Sequence, residues 1–172
     1  MTEARAPRVV VMGVAGSGKS TVGDRLAHAL RVEFAEGDDF HPPANVAKMR
    51  AGEPLTDVDR APWLDRIAAW LAEQSGRGGV VSCSALKRDY RDRMRAAAPD
   101  VLFLHLTATR EELARRMSTR RDHFMPPSLL DSQLAALEPL AADERGIVVD
   151  ATRAPADLVR ETIAVLDSGR PA

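Results

Sequence analysis

Eight consecutive residues, Gly13-Val14-Ala15-Gly16-Ser17-Gly18-Lys19-Ser20, fit the pattern G-x-x-x-x-G-K-S/T at every fixed position. Such a segment turns successive backbone N–H groups inward around a polyphosphate, because glycine tolerates the backbone angles that the wrapping needs. Lys19 at its end reaches β- and γ-phosphates, and the Ser20 hydroxyl suits Mg²⁺. Thr21 follows directly. A Gly-rich turn without a ligand would leave the Lys-Ser pair unexplained. The chemistry indicated is nucleoside triphosphate binding.

Other residues have types that suit the second reactant. The run Glu36-Gly37-Asp38-Asp39-Phe40-His41-Pro42-Pro43 is acidic and carries a histidine. Asp38 would accept the proton of a substrate hydroxyl or only orient it, since positioning matters more than base strength in a dissociative phosphoryl transfer. The competing reading is a solvated turn capped by Asp38 or Asp39. His41 would hydrogen-bond a polar substrate, although a loop histidine is more often structural. Lys48 and Arg60 are candidates for an anionic group on the acceptor. Arginine suits a carboxylate because its planar fork offers two parallel hydrogen bonds. Against this, Lys48 reads equally as an exposed helix charge, and Arg60 as a first-turn partner of Asp57.

Two more groups complete the candidates. No Asp ends the run Val80-Val81-Ser82-Cys83, so Glu36 or Asp38 is expected to hold a metal-bound water instead. Arg115, Arg116, Arg120 and Arg121 crowd one helix end, with Arg116 and Arg120 four apart on one face. Prolines after His123-Phe124-Met125 stop that helix. A mobile lid over about 116–130 is expected here, with Arg120 stabilising charge on the transferring group. Arg115 and Arg121 read better as a solvated basic face.

Strands and helices must place these residues. Arg8 to Met12 is a β-branched apolar run, which predicts a buried strand, and Val22, Leu26, Ala29 and Leu30 recur at helical spacing after the loop. A strand, a glycine-rich loop and a helix N-terminus together form an anion site. Further strands are predicted at 32–35, 80–83, 101–106 and 147–149. Helices are predicted at 44–50, 60–74 with Asp59 as N-cap, 89–97, from Thr109 as N-cap to about 120, 128–137 and 155–166. Alternating strands and helices imply a five-stranded parallel sheet covered on both faces, a three-layer α/β sandwich of the phosphate-loop NTPase kind. Ligands in such sheets sit beyond the carboxyl ends of the strands. The candidates above follow those ends.

The chain has 172 residues, which suits a single domain over 1–172. It is 45% hydrophobic and 28% charged with a net charge of −1, a balance that gives no drive toward nucleic acid or membrane. The one cysteine, Cys83, excludes an intrachain disulfide. Met1 to Pro7 lacks a signal peptide's apolar stretch, so the cytoplasm is expected. Lys19, Lys48 and Lys87 are the only lysines among 24 basic residues, and all lie in or beside these segments. A GTPase is disfavoured because guanine readers use Asn-Lys-x-Asp and Asn45 is the only asparagine. Asp143-Glu144-Arg145-Gly146 spells D-x-x-G but precedes the last strand, the wrong place for a switch. A nucleoside-monophosphate kinase would show arginines where this chain has an acidic loop. A non-catalytic nucleotide-binding module remains the alternative outside enzymes.

Taken in order, the segments resemble the gluconokinase family, close relatives of shikimate kinases, over nearly the whole chain. The distinctive parts are Gly37-Asp38-x-x-His41-Pro42, Asn45-x-x-Lys48-Met49 and Gly52-x-Pro54-Leu55-x-Asp57-x-Asp59-Arg60-x-Pro62-Trp63-Leu64, then Cys83-Ser84-Ala85-Leu86-Lys87, Tyr90-Arg91, His123-Phe124-Met125-Pro126-Pro127, Leu129-Leu130-x-Ser132-Gln133 and Leu137-Glu138-Pro139. The resemblance implies a nucleoside-monophosphate-kinase-like fold with a short lid. It also implies ATP with Mg²⁺, D-gluconate phosphorylated at its 6-hydroxyl to 6-phospho-D-gluconate, and a homodimer. It gives the acceptor the segment at about 36–64. Asp38 then acts on the 6-hydroxyl, and His41, Lys48 and Arg60 contact gluconate, with Arg60 on the carboxylate. Lys87 and Gln133 join them. Arg116 would stack on adenine and Arg120 would grip phosphate. The family often carries Asp where this chain has Glu36.

Overall fold

The computed structural model describes residues 5–119 and 127–169. Five strands alternate with helices: β1 (Arg8–Met12), α1 (Lys19–Leu30), β2 (Glu33–Glu36), a 3-10 turn (Gly37–Phe40), α2 (Pro43–Arg50), α3 (Asp57–Glu73), β3 (Gly79–Ser82), α4 (Arg88–Ala97), β4 (Leu102–Thr107), α5 (Arg110–Ser118), α6 (Pro127–Ala136), β5 (Gly146–Asp150) and α7 (Pro155–Ser168). All pairings are parallel, in the order β2-β3-β1-β4-β5. The expected α/β sandwich is therefore present. β1 is central, so the loop that leaves it opens into the crevice between β3 and β4.

Period-two alternation divides the core. Val9 and Val11 point to one face with α1 residues Val22, Leu26 and Ala27 and α7 residues Leu158 and Val159. Val10 and Met12 point to the other, against Trp63, Leu64, Ile67 and Leu71 of α3 and Tyr90 and Met94 of α4. Val9, Val10, Val11 and Met12 are all fully buried, which explains why β1 reads as a continuous apolar run rather than an alternating one.

One helix start differs from expectation. α3 begins at Asp57, with Thr56 rather than Asp59 as N-cap. Thr56 Oγ1 accepts from the Asp59 N–H at 3.1 Å, and the Asp59 carboxylate accepts from the Thr56 N–H at 2.9 Å. This reciprocal box satisfies two otherwise orphaned donors, so the helix gains most of a turn. Thr109 caps α5 as expected, accepting from Glu112 N at 3.2 Å.

A buried ion pair braces the chain after β3. Arg91 on α4 donates to both carboxylate oxygens of Glu144, at 2.7 and 3.1 Å, and to the carbonyls of Ala85 and Leu86 at 2.9 and 3.2 Å. Both side chains are fully inaccessible. Burial alone would raise the Glu144 carboxyl, but hydrogen bonds from Arg91 and the Ala141 N–H hold it below the usual range. Removing one partner of such a pair costs about 3–5 kcal/mol. Glu144 of the D-x-x-G segment is thus a structural counter-ion. The segment it steadies includes Ala85, held at a left-handed φ of 46°, just before Lys87.

Candidate active site

The loop between β1 and α1 has the shape a phosphate needs. Gly13 has φ of 147°, and a Cβ there would lie 2.7 Å from both the Leu106 carbonyl oxygen and Ser17 Oγ. Only glycine fits. Gly18 serves as N-cap of α1, so the positive end of that helix faces the loop. Lys19 opens the helix and its Nζ donates to the Val14 carbonyl at 3.1 Å, arching over the loop.

Two side chains from distant segments touch this loop. Arg116 Nη1 approaches the Gly16 and Ser17 carbonyls at 3.4 and 3.5 Å, while its Nη2 donates to the Ala151 carbonyl at 2.7 Å. It ties the loop to the chain after β5. Gln133, expected among the acceptor contacts, lies against the loop, where its Oε1 accepts from the Ala15 N–H at 2.7 Å. α6 brings it there because Leu130 and Leu134 pack with Val14 and Leu113. Arg120 and His123 lie outside the described residues, as does the 120–126 part of the expected lid.

The corner expected to take the metal is built from three elements. β2 and β3 pair so that Glu36 stands beside Ser82. Glu36 Oε2 accepts from Ser82 Oγ at 2.6 Å and from Ser20 Oγ at 2.9 Å. Among the described residues no group of three or more His, Cys, Asp and Glu forms a cage. A hydroxyl and one carboxylate beside a phosphate loop suit Mg²⁺, which keeps water and phosphate oxygens as most of its ligands. Ser82, whose hydroxyl orients that carboxylate, carried no motif in the sequence.

Asp38 sits just past β2. Gly37 has no room for a Cβ, which would collide with the Ser82 carbonyl oxygen. Its own carbonyl accepts from Trp63 Nε1 at 2.7 Å. The turn is thereby clamped between β3 and α3 while the Asp38 side chain stays 92% exposed. The His41 ring stacks on Trp63 with centroids 4.3 Å apart. Cys83 lies beneath the site. Burial pushes its thiol up to about 12, with Lys19 pulling it down and Asp38 pushing it up. Lys19 and Asp38 therefore lie within electrostatic range of one atom at the end of β3.

Three donors converge on one carboxylate farther along. Tyr90 Oη donates to Asp57, Lys87 Nζ lies 3.3 Å from it and Arg60 Nη1 3.5 Å. Arg60 also reaches Tyr90 Oη at 3.4 Å. Asp57 is held below the usual carboxylate range by the Tyr90 and Lys87 hydrogen bonds. Burial and the bond to Asp57 raise Tyr90. The cluster borders a cleft of about 310 Å³. Lys48 is engaged nearby: its Nζ bonds Asp59 at 2.8 Å, and with Thr56 it draws Asp59 down to about 2. Of the residues expected to hold the acceptor, Arg60 and Lys87 share one cluster, Lys48 adjoins it through Asp59, and Asp38 and His41 form another pair. The Asp57 pairing of Arg60 is realised, and Tyr90, recognised in the Tyr90-Arg91 motif without a role, joins it through its hydroxyl.

Known proteins resemble this chain over most of its length. A family model described as shikimate kinase matches residues 15–167. A gluconokinase of Gluconobacter oxydans (strain 621H) is 50% identical over 157 residues, spanning 90% of this chain and 88% of the relative. The thermoresistant gluconokinase of Escherichia coli (strain K12) is 38% identical, with 94% of each chain covered. The crystal structure of a gluconokinase from Sinorhizobium meliloti 1021 superposes with a TM-score of 0.87 at 47% identity, covering 96% of this chain and 94% of that one.

Proposed function

The chain belongs to the gluconokinase family of phosphate-loop kinases, and on that premise we propose that it transfers the γ-phosphoryl group of ATP to the 6-hydroxyl of D-gluconate, giving 6-phospho-D-gluconate and ADP. The observation that carries the acceptor assignment is the convergence of Arg60, Lys87 and Tyr90 on a single carboxylate, that of Asp57. Gluconate offers a carboxylate at one end and a primary hydroxyl at the other. The donors that now hold Asp57 suit the first, and Asp38 with His41 suits the second. Arg60 and Lys87 bring two positive charges against the single negative charge of Asp57, a balance that an anionic acceptor completes and a neutral sugar does not. The relatives named above give no support to a shikimate or nucleoside-monophosphate acceptor.

The steps follow from the residues. The loop amides and Lys19 hold the β- and γ-phosphates and draw charge off the γ-phosphoryl as it leaves ADP. Asp38 orients the 6-hydroxyl and takes its proton as the new O–P bond forms and the β,γ-bridging bond breaks. Ser20 and Glu36, the latter through water, would hold Mg²⁺, which would supply charge neutralisation for the phosphates. Arg116 steadies the loop from the nucleotide side, and Arg120 is assigned to the closing lid.

Two substitutions separate the halves. Arg60→Ala is expected to raise KM for gluconate about tenfold or more with KM for ATP nearly unchanged; a matching rise for both would contradict the assignment. Glu36→Gln is expected to raise the Mg²⁺ concentration needed for half-maximal rate, and an unchanged Mg²⁺ titration would remove that role.

Among the described residues no helix is long and apolar enough to cross a membrane. The family reading carries with it a cytoplasmic homodimer, which light scattering on the purified protein would check.

A further inference from the structure

Asn45 is the only asparagine of the chain, is almost fully buried, and sits on α2 in contact with the site rather than in it. Its Nδ2 lies 2.9 Å from the Asp59 carbonyl oxygen and 3.2 Å from His41 Nδ1. A backbone carbonyl can only accept, so Asp59 fixes which end of the amide is the NH₂ group. That NH₂ group can only donate, so His41 Nδ1 must be an unprotonated acceptor. The ring proton of a neutral imidazole then has one place left, Nε2. An imidazolium would set two donors against each other.

The ring cannot turn away from this arrangement. It stacks on Trp63 at an interplanar angle of 13°, and Trp63 is itself fixed to the Gly37 carbonyl. Its Nε2 edge faces Asp38 Oδ1 at 4.0 Å. That is too long for a direct hydrogen bond, but a hydroxyl oxygen placed between them would lie within hydrogen-bond reach of both. The charged groups that act on the ring are Asp38 from the 3-10 turn, which favours its protonation, and Arg60 from α3, which opposes it. Burial is the largest influence and also opposes it, so the ring titrates below its ordinary value of 6.5 and is neutral at and above that pH.

We infer that Asn45 is a positioning residue that locks His41 as the neutral Nε2–H tautomer, so that this N–H and the Asp38 carboxylate grip the acceptor hydroxyl from two sides. The N–H donates to a lone pair of the hydroxyl oxygen, and the hydroxyl donates to Asp38. The oxygen is thereby oriented with its other lone pair free for the γ-phosphorus. This role deepens the kinase reading and rests on it, whereas the tautomer stands on the Asn45 contacts alone.

The test reads the tautomer directly. Long-range proton–nitrogen correlation spectra of the ¹⁵N-histidine-labelled protein at about pH 7.5 should show His41 with Nε2 protonated and Nδ1 bare. A proton on Nδ1, or on both nitrogens, overturns the inference without touching the acceptor assignment. Asn45→Asp places a carboxylate against Nδ1 and should move the proton there, with kcat for gluconate falling about tenfold or more and KM for ATP unchanged. Asn45→Leu should leave both tautomers populated with a smaller loss. Variants whose spectra show the proton shift but whose kcat equals that of the wild type would overturn the positioning role. If the protein proved not to phosphorylate gluconate at all, the labelled spectrum would still decide the tautomer.

Discussion

Lys19→Met is expected to lower turnover by about 10²–10³-fold, the loss typical of removing one preorganised donor from a developing negative charge. The charge on the transferring group spreads over its three equatorial oxygens, so a cation held beside them acts on the transition state more than on bound ATP. Lys19 opens α1 directly after Gly18 and its ammonium arches over the loop to the Val14 carbonyl. Methionine keeps much of the stem and removes the charge. The fold should survive, because methionine is a good helix former at the start of α1. Single-turnover phosphoryl transfer with nucleotide saturating is the measurement. Turnover within a fewfold of the wild type would mean that the loop lysine is a bystander.

Asp38→Asn should reduce kcat by about 10²-fold while ATP still binds, the lower end of what a positioned acid–base group contributes. Asparagine preserves shape and still accepts a hydrogen bond, but it cannot take the proton. The Asp38 carboxylate is almost fully exposed and the neutral His41 ring lies 4.0 Å from it. Stability should therefore change by no more than about ±0.5 kcal/mol, which makes the kinetic loss interpretable. A near-wild-type kcat would exclude Asp38 as the group that receives the hydroxyl proton.

What the sequence reveals of this site follows the range of the interactions. The phosphate loop is contiguous, and the β-branched run before it and the helical spacing after it are local, so all three could be read directly. Helix and strand positions follow from periodicity to within a residue or two. The start of α3 is the exception, because Asp59 reads as the N-cap by itself until its reciprocal bonds with Thr56 are seen. The connections that shape the site are of another kind. Ser82 orients Glu36 across 46 residues, Arg91 meets Glu144 across 53, and Gln133 reaches Ala15 across 118. Each depends on strand register or helix packing, which no local pattern specifies. Gln133 illustrates the consequence, since its motif was recognisable and its partner was not. Tyr90 is a like case: its motif was recognisable, but not that its ring packs in the core while its hydroxyl points at Asp57.

The same distinction explains the acceptor side. Arg60 near Asp57 looked like an alternative to substrate binding, yet the pair with Lys87 and Tyr90 is also a template for it. Donors arranged to hold one carboxylate are preorganised for another, so little reorganisation opposes binding. Asp57 then competes with the substrate for them.

The most direct measurement is ADP release by the purified protein with ATP and Mg²⁺, offered gluconate, shikimate, glucose or AMP as acceptor, with the product identified by phosphorus NMR. The account predicts rapid turnover with gluconate alone and a product phosphorylated at the 6-hydroxyl. Preference for shikimate or AMP, or tight ATP binding with no acceptor phosphorylated, would contradict it.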